Sequence, residues 1–448
     1  MILQQTLPEI MMRFSSLWFL LMCGVLCGCN KKSDRELGTA TIAELMTAAK
    51  ENNANAQAEL GWRYFNGMGV LKNESEAVKW YQQAAAQGNP RGESNLGACY
   101  LYGTGVAQDD ANAIKWLEKA VKHGSAYGQY NLGVCYLQGM GVPKNESEGV
   151  KRLQQAAEAG VAPAQYILAQ CYERGRGIEK DEVAGLKWFK EAANQGQPLA
   201  QTILGGLYLN GAGVPPDPVM AVKWFRSAAE AGVADAQYQL AVCLDRGQGT
   251  ATNREEAIKW YKKAAAQGQA SAENDLGVIY FRSGNRTNSG AEAFQWFQKA
   301  AEHGFPPSQF YLALFYSSGE GVAKNDTLAL AWCTRAATNG VVGAQEYLGD
   351  IYSEGLGIKA DQVEATKWYR VAAEHGSAEA QGKLAMRCFN GIGTAADLAE
   401  GYKWNLILKK HHVEIPSEIS EFLSKHVLTS EIEAEGERRA NGVLDKKE

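Results

Sequence analysis

The chain has 448 residues, 46% of them hydrophobic, and a formal net charge of −5. This composition suits a protein with a packed core. The charge is too small to argue for a nucleic-acid partner, and no basic cluster runs along one face.

Residues 1–29 stand apart from the rest. Phe14 to Cys29 is apolar except for Ser15 and Ser16, and Arg13 is the one positive charge before it. That pattern predicts a secretory signal peptide, and the stretch is short for a spanning helix. Residues 1–11 contain Glu9 and no Lys or Arg, which favours Met12 as the start. The stretch Leu26-Cys27-Gly28-Cys29 resembles a bacterial lipobox. The resemblance implies that Cys29 is lipidated and retained. Asn30 after it, where Asp is absent, points toward the outer membrane.

Residues 30–38 are polar and charged and predict a tether. Residues 39–52 predict a helix with Ile42, Leu45, Met46 and Ala49 on one side, the N-terminal cap of the region from residue 53 onward.

From residue 53 to residue 412 one 36-residue pattern recurs ten times without insertion or deletion. Gly-x-Gly pairs fall at 67/69, 103/105, 139/141 and onward to 391/393, missing only at Ser283 and Asn285. Trp recurs from Trp80 to Trp404, and Tyr from Tyr64 to Tyr352. A fixed period of this size predicts a solenoid. In the first half of a unit Leu60, Gly61 and Tyr64 share one helical face, and Gly67 ends that helix in a left-handed cap. The second helix starts at Asn or Asp (Asn73, Asp109, Asn145 and their successors), whose side chains can accept from free N–H groups. Glu76, Glu148, Glu256, Glu364 and Glu400, three residues on, predict capping boxes. Ala77, Trp80, Ala84 and Ala85 form one stripe in which the Trp is expected to fill the space between helices. The predicted fold is all-α: a right-handed superhelical solenoid of ten antiparallel helix pairs, capped at both ends by extra helices.

The pattern A-x-x-x-L-G-x-x-Y-x-x-G-x-G-V-x-x-[DN]-x-x-x-A-x-x-W-x-x-x-A-A-x-x-G resembles the Sel1-like repeat, a relative of the tetratricopeptide repeat. The resemblance implies a protein-interaction scaffold without catalysis. Arg152 departs from it at the Trp position, Leu244 and Cys388 depart at the Tyr position, and the seventh unit lacks its glycine pair.

After residue 412 the pattern fades. Residues 413–448 predict two capping helices and a tail. Pro416 opens one helix, with Ile419, Phe422, Leu423 and Val427 at helical spacing. Ser430 and Glu433 cap another, which carries Ile432, Ala440, Val443 and Leu444. Asp445–Glu448 is expected to be disordered.

Little chemistry stands out. Cys99, Cys135, Cys171 and Cys243 share one register, where neighbouring helix pairs lie about 8–10 Å apart. That is beyond the roughly 7 Å a disulfide spans, so these thiols are expected to be buried and reduced. A related cysteine-rich group pairs two cysteines per unit and carries penicillin-binding or β-lactamase activity. This chain has at most one per unit, so neither feature is carried over. The Gly-x-Gly pairs lack the third glycine of a dinucleotide loop. His123, His303, His375 and His411 recur just before the terminal glycine, at helix C-termini that favour positive charge, too far apart to share a metal. No Ser-x-x-Lys or Gly-x-Ser-x-Gly occurs. No catalytic residue, metal site or cofactor is predicted.

Function is therefore expected on a surface that varies between units. On the first helices, taken to line the concave side, the stripe opposite the core varies most. It predicts a groove for a protein or peptide along Tyr130, Val134, Tyr166, Gln170, Tyr238 and Phe310, with Arg174 and Arg246 at its rim. The leading reading is a secreted, lipid-anchored adaptor facing the periplasm. Alternatives are an envelope hydrolase of the β-lactamase-like type and a binder of cell-wall glycan or peptide.

Overall fold

The computed structural model describes residues 39–283 and 289–444. The signal segment with Cys29, the 30–38 tether, most of the seventh turn and the last four residues lie outside the described residues. Among the described residues all regular structure is helical, in 23 helices. Each repeat contributes two, such as Ala54–Asn66 and Glu74–Ala86 in the first.

Local chemistry sets the helix ends. Gly67 closes the first helix at φ +71°, and its amide donates to the Arg63 carbonyl. Asn73 opens the second, its side chain accepting from the Glu76 amide. The Asn73 amide itself donates across the turn to the Tyr64 carbonyl at 2.8 Å, and Asp109 to Tyr100 at 2.9 Å. The same bond joins Asn253 to Leu244 and Asp397 to Cys388, each at 2.9 Å. Because a carbonyl supplies it, the bond survives loss of the Tyr ring in repeats 6 and 10.

That bond also corrects the expected capping boxes. The N-cap amide is already bonded, so the glutamate three residues on has no donor to reach back to. Glu76 instead takes Lys79 at 2.9 Å, Glu148 takes Arg152 at 2.7 Å, and Glu364 takes Lys367 at 2.8 Å. A reciprocal box forms at Thr41 and Glu44, at the start of helix Ile42–Lys50. Leu45 and Ala49 of that helix are buried against Ala56 and Leu60, covering the first repeat as its sequence predicts.

The core is one residue off the expected Trp. Most of the Trp rings are half-buried, whereas the next position is fully buried: Tyr81, Leu117, Leu153, Phe225 and Phe297. The small first-helix position makes room for it, since a Cβ on Gly61 would stand 2.7 Å from the Tyr81 ring. Several of the Trp rings carry a lysine ammonium over the face, with Lys119 Nζ 4.1 Å from the Trp116 ring centre and Lys299 Nζ 4.5 Å from that of Trp296. Because the position is peripheral, Arg152 can replace Trp, pairing with Glu148 and reaching Gln129 at 3.2 Å.

The chain forms two compact units. One holds repeats 1–5 and runs to Ala236, with Gly247–Ala251; the other holds Gln237–Arg246 and everything from Thr252 onward. Within each, the helices of a repeat pack as a pair, and the second helix packs on the first helix of the next repeat. In the second unit, helices Ser417–Lys425 and Ser430–Leu444 cover the tenth repeat through Ile419, Phe422, Leu423, Ala440 and Val443. Val427 departs from its expected place on the buried face. The helix ends at Lys425 and Val427 is 97% exposed in the linker.

Candidate partner-binding surface

The sequence pattern assigns the fifth residue of each first helix to a groove. In the first unit Tyr130 and Tyr166 are instead buried, at 4% and 1% exposure, and Val134 is buried too. The Tyr166 ring packs on Phe189, and its hydroxyl accepts from Gln170 Nε2 at 3.0 Å. In the second unit Tyr238 and Phe310 are half-buried. Tyr238 donates to Asp275 Oδ2 at 3.2 Å, and Phe310 meets the Tyr347 ring edge-on at 6.1 Å. Arg174 and Arg246 are exposed and Gln170 is half-buried.

Several fifth-position residues are engaged across a junction between repeats. The fifth position of a repeat meets the sixth of the next, 37 residues on: Tyr238 with Asp275, Phe310 with Tyr347, Glu346 with Lys383 at 3.4 Å.

The surface left over lies at the sixth and ninth positions. In repeats 8–10 it carries Tyr311, Leu314, Tyr347, Asp350 and Met386, all half-buried. Lys383 anchors its charged end, 2.7 Å from Asp350 and 2.9 Å from Glu379. Tyr369 donates to Asp350 Oδ1 at 2.6 Å. Burial works against the Lys383 ammonium, but Asp350 and Glu379 outweigh it and hold its pKa above the ordinary lysine range. Burial pushes the Glu346 carboxyl up despite the hydroxyl donated by Ser377. The result is an aromatic and aliphatic strip beside fixed charges, suited to recognition by contact.

The remaining chemistry is quiet. The six cysteines from Cys99 to Cys388 are free and buried. Burial pushes Cys99, Cys135 and Cys333 up to about 12, and Cys171, Cys243 and Cys388 up to about 11. They are therefore protonated and poor nucleophiles at neutral pH. Among the described residues no group of three or more His, Cys, Asp or Glu could hold a metal ion. No described helix is long and apolar enough to cross a membrane.

The histidine register has a role that its sequence position does not announce. In repeats 1, 2, 4 and 6–9 the residue before the terminal glycine bonds the fourth residue of its own repeat's first helix. Gln195 Nε2 donates to Gln165 Oε1 at 2.8 Å, and Gln165 Nε2 donates in turn to the carbonyl of Ala157 in the preceding repeat at 3.1 Å. His375 Nδ1 meets Gln345 Oε1 at 2.8 Å in the same way. The signal was present in the chain: His123 and His303 stand in the two repeats whose fourth position is Glu.

Sel1 repeat sequences match ten consecutive segments: 54–89, 90–125, 126–161, 162–197, 198–233, 234–269, 270–305, 306–341, 342–377 and 378–404. Among solved structures the chain is similar to c5321, a protective antigen present in uropathogenic Escherichia coli strains displaying an SLR fold. The two share 30% identity over 91% of this chain and 95% of that one, with a TM-score of 0.60. It is also 28% identical to a Sel1 repeat protein from Oxalobacter formigenes, over 75% of this chain and 99% of that one, at a TM-score of 0.48. No curated protein matches. Ten matched segments spanning most of the chain, each contributing helices of the repeated pair, show that this protein belongs to the Sel1 repeat family.

Proposed function

We propose that the protein is a non-catalytic adaptor that binds another protein or peptide at the bacterial envelope. The fold is typical of protein–protein interaction scaffolds. The observation that carries the reading is the strip Tyr311, Leu314, Tyr347, Asp350 and Met386. Its side chains are held by packing on one side and open on the other. Rigid aromatic rings presented this way bind with little loss of side-chain entropy. Export and a lipid on Cys29 complete the proposal, supported by the apolar stretch before Cys29. The similarity to a protective antigen points the same way.

The test is a crosslinked capture from envelopes with wild type and a Tyr347→Ala/Met386→Ala variant, both shown folded by circular dichroism. Capture by wild type and loss in the variant supports the strip. Equal capture moves the site elsewhere on the molecule. Absence of any specific capture overturns the adaptor reading. Cys29→Ala is expected to abolish palmitate labelling and membrane fractionation; unchanged labelling refutes the anchor.

A further inference from the structure

The strip of repeats 8–10 changes character along its length. Its first tier, helix Pro306–Ser318, carries no charged residue and presents Tyr311 and Leu314, both half-buried. The second tier, helix Val342–Glu354, adds Tyr347, whose hydroxyl lies 2.6 Å from Ser317 Oγ. Beyond these rings the strip turns acidic. Glu346, Asp350 and Glu354 recur at four-residue spacing, so they share one face of that helix. Glu379 joins them from the third tier, helix Ala378–Asn390.

One ammonium is set among these carboxylates. Lys383 Nζ lies 2.7 Å from Asp350, 2.9 Å from Glu379 and 3.4 Å from Glu346. Arg387 is 8% exposed and turned into the junction, bonded to Gln362 Oε1 at 2.6 Å and to Thr366 Oγ1 at 2.9 Å. Four carboxylates against these two cations leave this end of the strip with negative charge in excess. The crowding shows in the carboxyls themselves. Burial raises Glu346, and Glu379 beside it adds to the rise although Ser377 donates to it, whereas Lys383 holds Glu379 low.

The side chains of Glu346, Asp350 and Glu379 keep 17%, 25% and 69% of their exposure, so water still solvates the excess charge. A partner laid on the strip removes that water. Under a neutral or acidic surface the carboxylates lose hydration and gain nothing. Under a cation they gain charge-assisted hydrogen bonds. Charge complementarity therefore sets which partner this end accepts.

We infer that the strip docks an extended segment of another protein in which an apolar side chain and a Lys or Arg stand about four residues apart. The apolar side chain lies against Tyr311, Leu314 and Tyr347, and the cation meets Glu346 and Glu379. Neighbouring helices pack about 8–10 Å apart, which puts the junction of repeats 9 and 10 roughly 12–15 Å from the Tyr311 tier. An extended chain covers that distance in about four residues at about 3.3 Å each. The inference rests on the strip proposed above and adds the chemistry of its partner.

The probe is a displayed library of random peptides of about twelve residues, long enough to lie along the strip when extended. It is selected on the full chain and compared on wild type, Glu346→Gln/Glu379→Gln and Tyr347→Ala/Met386→Ala. Peptides enriched on wild type are expected to carry Lys or Arg about four residues from an aromatic or aliphatic residue. They should bind folded Glu346→Gln/Glu379→Gln at least about tenfold more weakly, a difference of about 1.4 kcal/mol. Gln in place of the peptide's basic residue should weaken binding to wild type as much and to that variant little. Equal binding of the Gln peptide to wild type overturns the inference. Enriched peptides that lack the basic residue and are lost on Tyr347→Ala/Met386→Ala also overturn it, while leaving the strip as the binding surface. Peptides that bind Tyr347→Ala/Met386→Ala as well as wild type overturn both readings, as does the absence of enrichment on wild type. If Glu346→Gln/Glu379→Gln fails to fold, the Gln peptide on wild type decides.

Discussion

Nδ1 of His123 lies 2.7 Å from Oε2 of Glu93, a carboxylate that is 1% exposed. The same two places in repeat 1 hold Gln87 and Gln57, with Nε2 donating to Oε1 at 2.7 Å. In repeat 7 they hold His303 and Glu273, 2.8 Å apart. A buried carboxylate accepts only, so it is met by a ring that can donate and carry charge. Replacing His123 with Ala strands the Glu93 carboxylate and should cost about 1–3 kcal/mol. The double change Glu93→Gln with His123→Gln reproduces repeat 1 and should recover most of that. Urea midpoints at constant slope measure both. If the double variant is no more stable than His123→Ala, the pair does not stabilise the junction.

Two glycines of repeat 3 separate backbone strain from close approach. Gly141 has φ +67° with Asp110 against it, whereas Gly160 has φ +86° and nothing within 4 Å of an added Cβ. Gly160→Ala should cost the left-handed penalty of about 1–2 kcal/mol. Gly141→Ala should cost clearly more, because the turn must also lift off the helix. Thermal or urea melts of the two variants rank them; equal costs would mean that the turn is not held against its seat.

His412 stands in the slot of the terminal glycine and is held at φ +54°. Gly340 and Gly376 fill that slot in earlier repeats, with φ of +83° and +95°. His412→Gly should therefore stabilise the protein by about 1 kcal/mol, the penalty a Cβ carries there. A lowered urea midpoint in that variant would show that the imidazole makes up for the strain.

Glu173 sits where repeats 3 and 5 have Leu137 and Leu209. Its Oε2 is buried with no partner, and burial pushes its carboxyl up although Arg174 works the other way. Its unfolded pKa is near ~4.3. A folded pKa above that means the protonated form is the better fit, so wild type loses stability as pH rises through the folded value. Glu173→Leu should gain on the order of 1 kcal/mol at pH 7, the low end because the side chain is only half-buried. The gain should shrink toward about pH 4. Melts across that range decide; a gain independent of pH would assign it to packing alone.

The thiols from Cys99 to Cys388 should not react with a thiol reagent such as Ellman's in the native state and should react once urea unfolds the chain. Their burial and raised pKa both demand this. Rapid native labelling of any of them would place it on a surface that opens.

The sequence by itself determined the repeat and its local geometry. The period, the helix pairs, the left-handed glycines and the Asn or Asp caps each depend on residues within one turn of helix, so spacing alone reveals them. The reduced, unbridged cysteines came from the same period. Tertiary structure decided what spacing cannot express. Position 80 and position 81 both lie on the buried side of a helix, and only packing against Gly61 selects Tyr81 for the core. A capping glutamate reads the same whether or not its N-cap amide is free, and the bond from Asn73 to Tyr64 shows that it is not. The varying stripe through Tyr130 and Tyr166 looked like a groove because variation marks both contact with a partner and contact with the next repeat. The two differ only in whether a neighbour in the fold covers the side chain. For Tyr238 that neighbour is Asp275, and no one-dimensional pattern distinguishes such a neighbour from solvent.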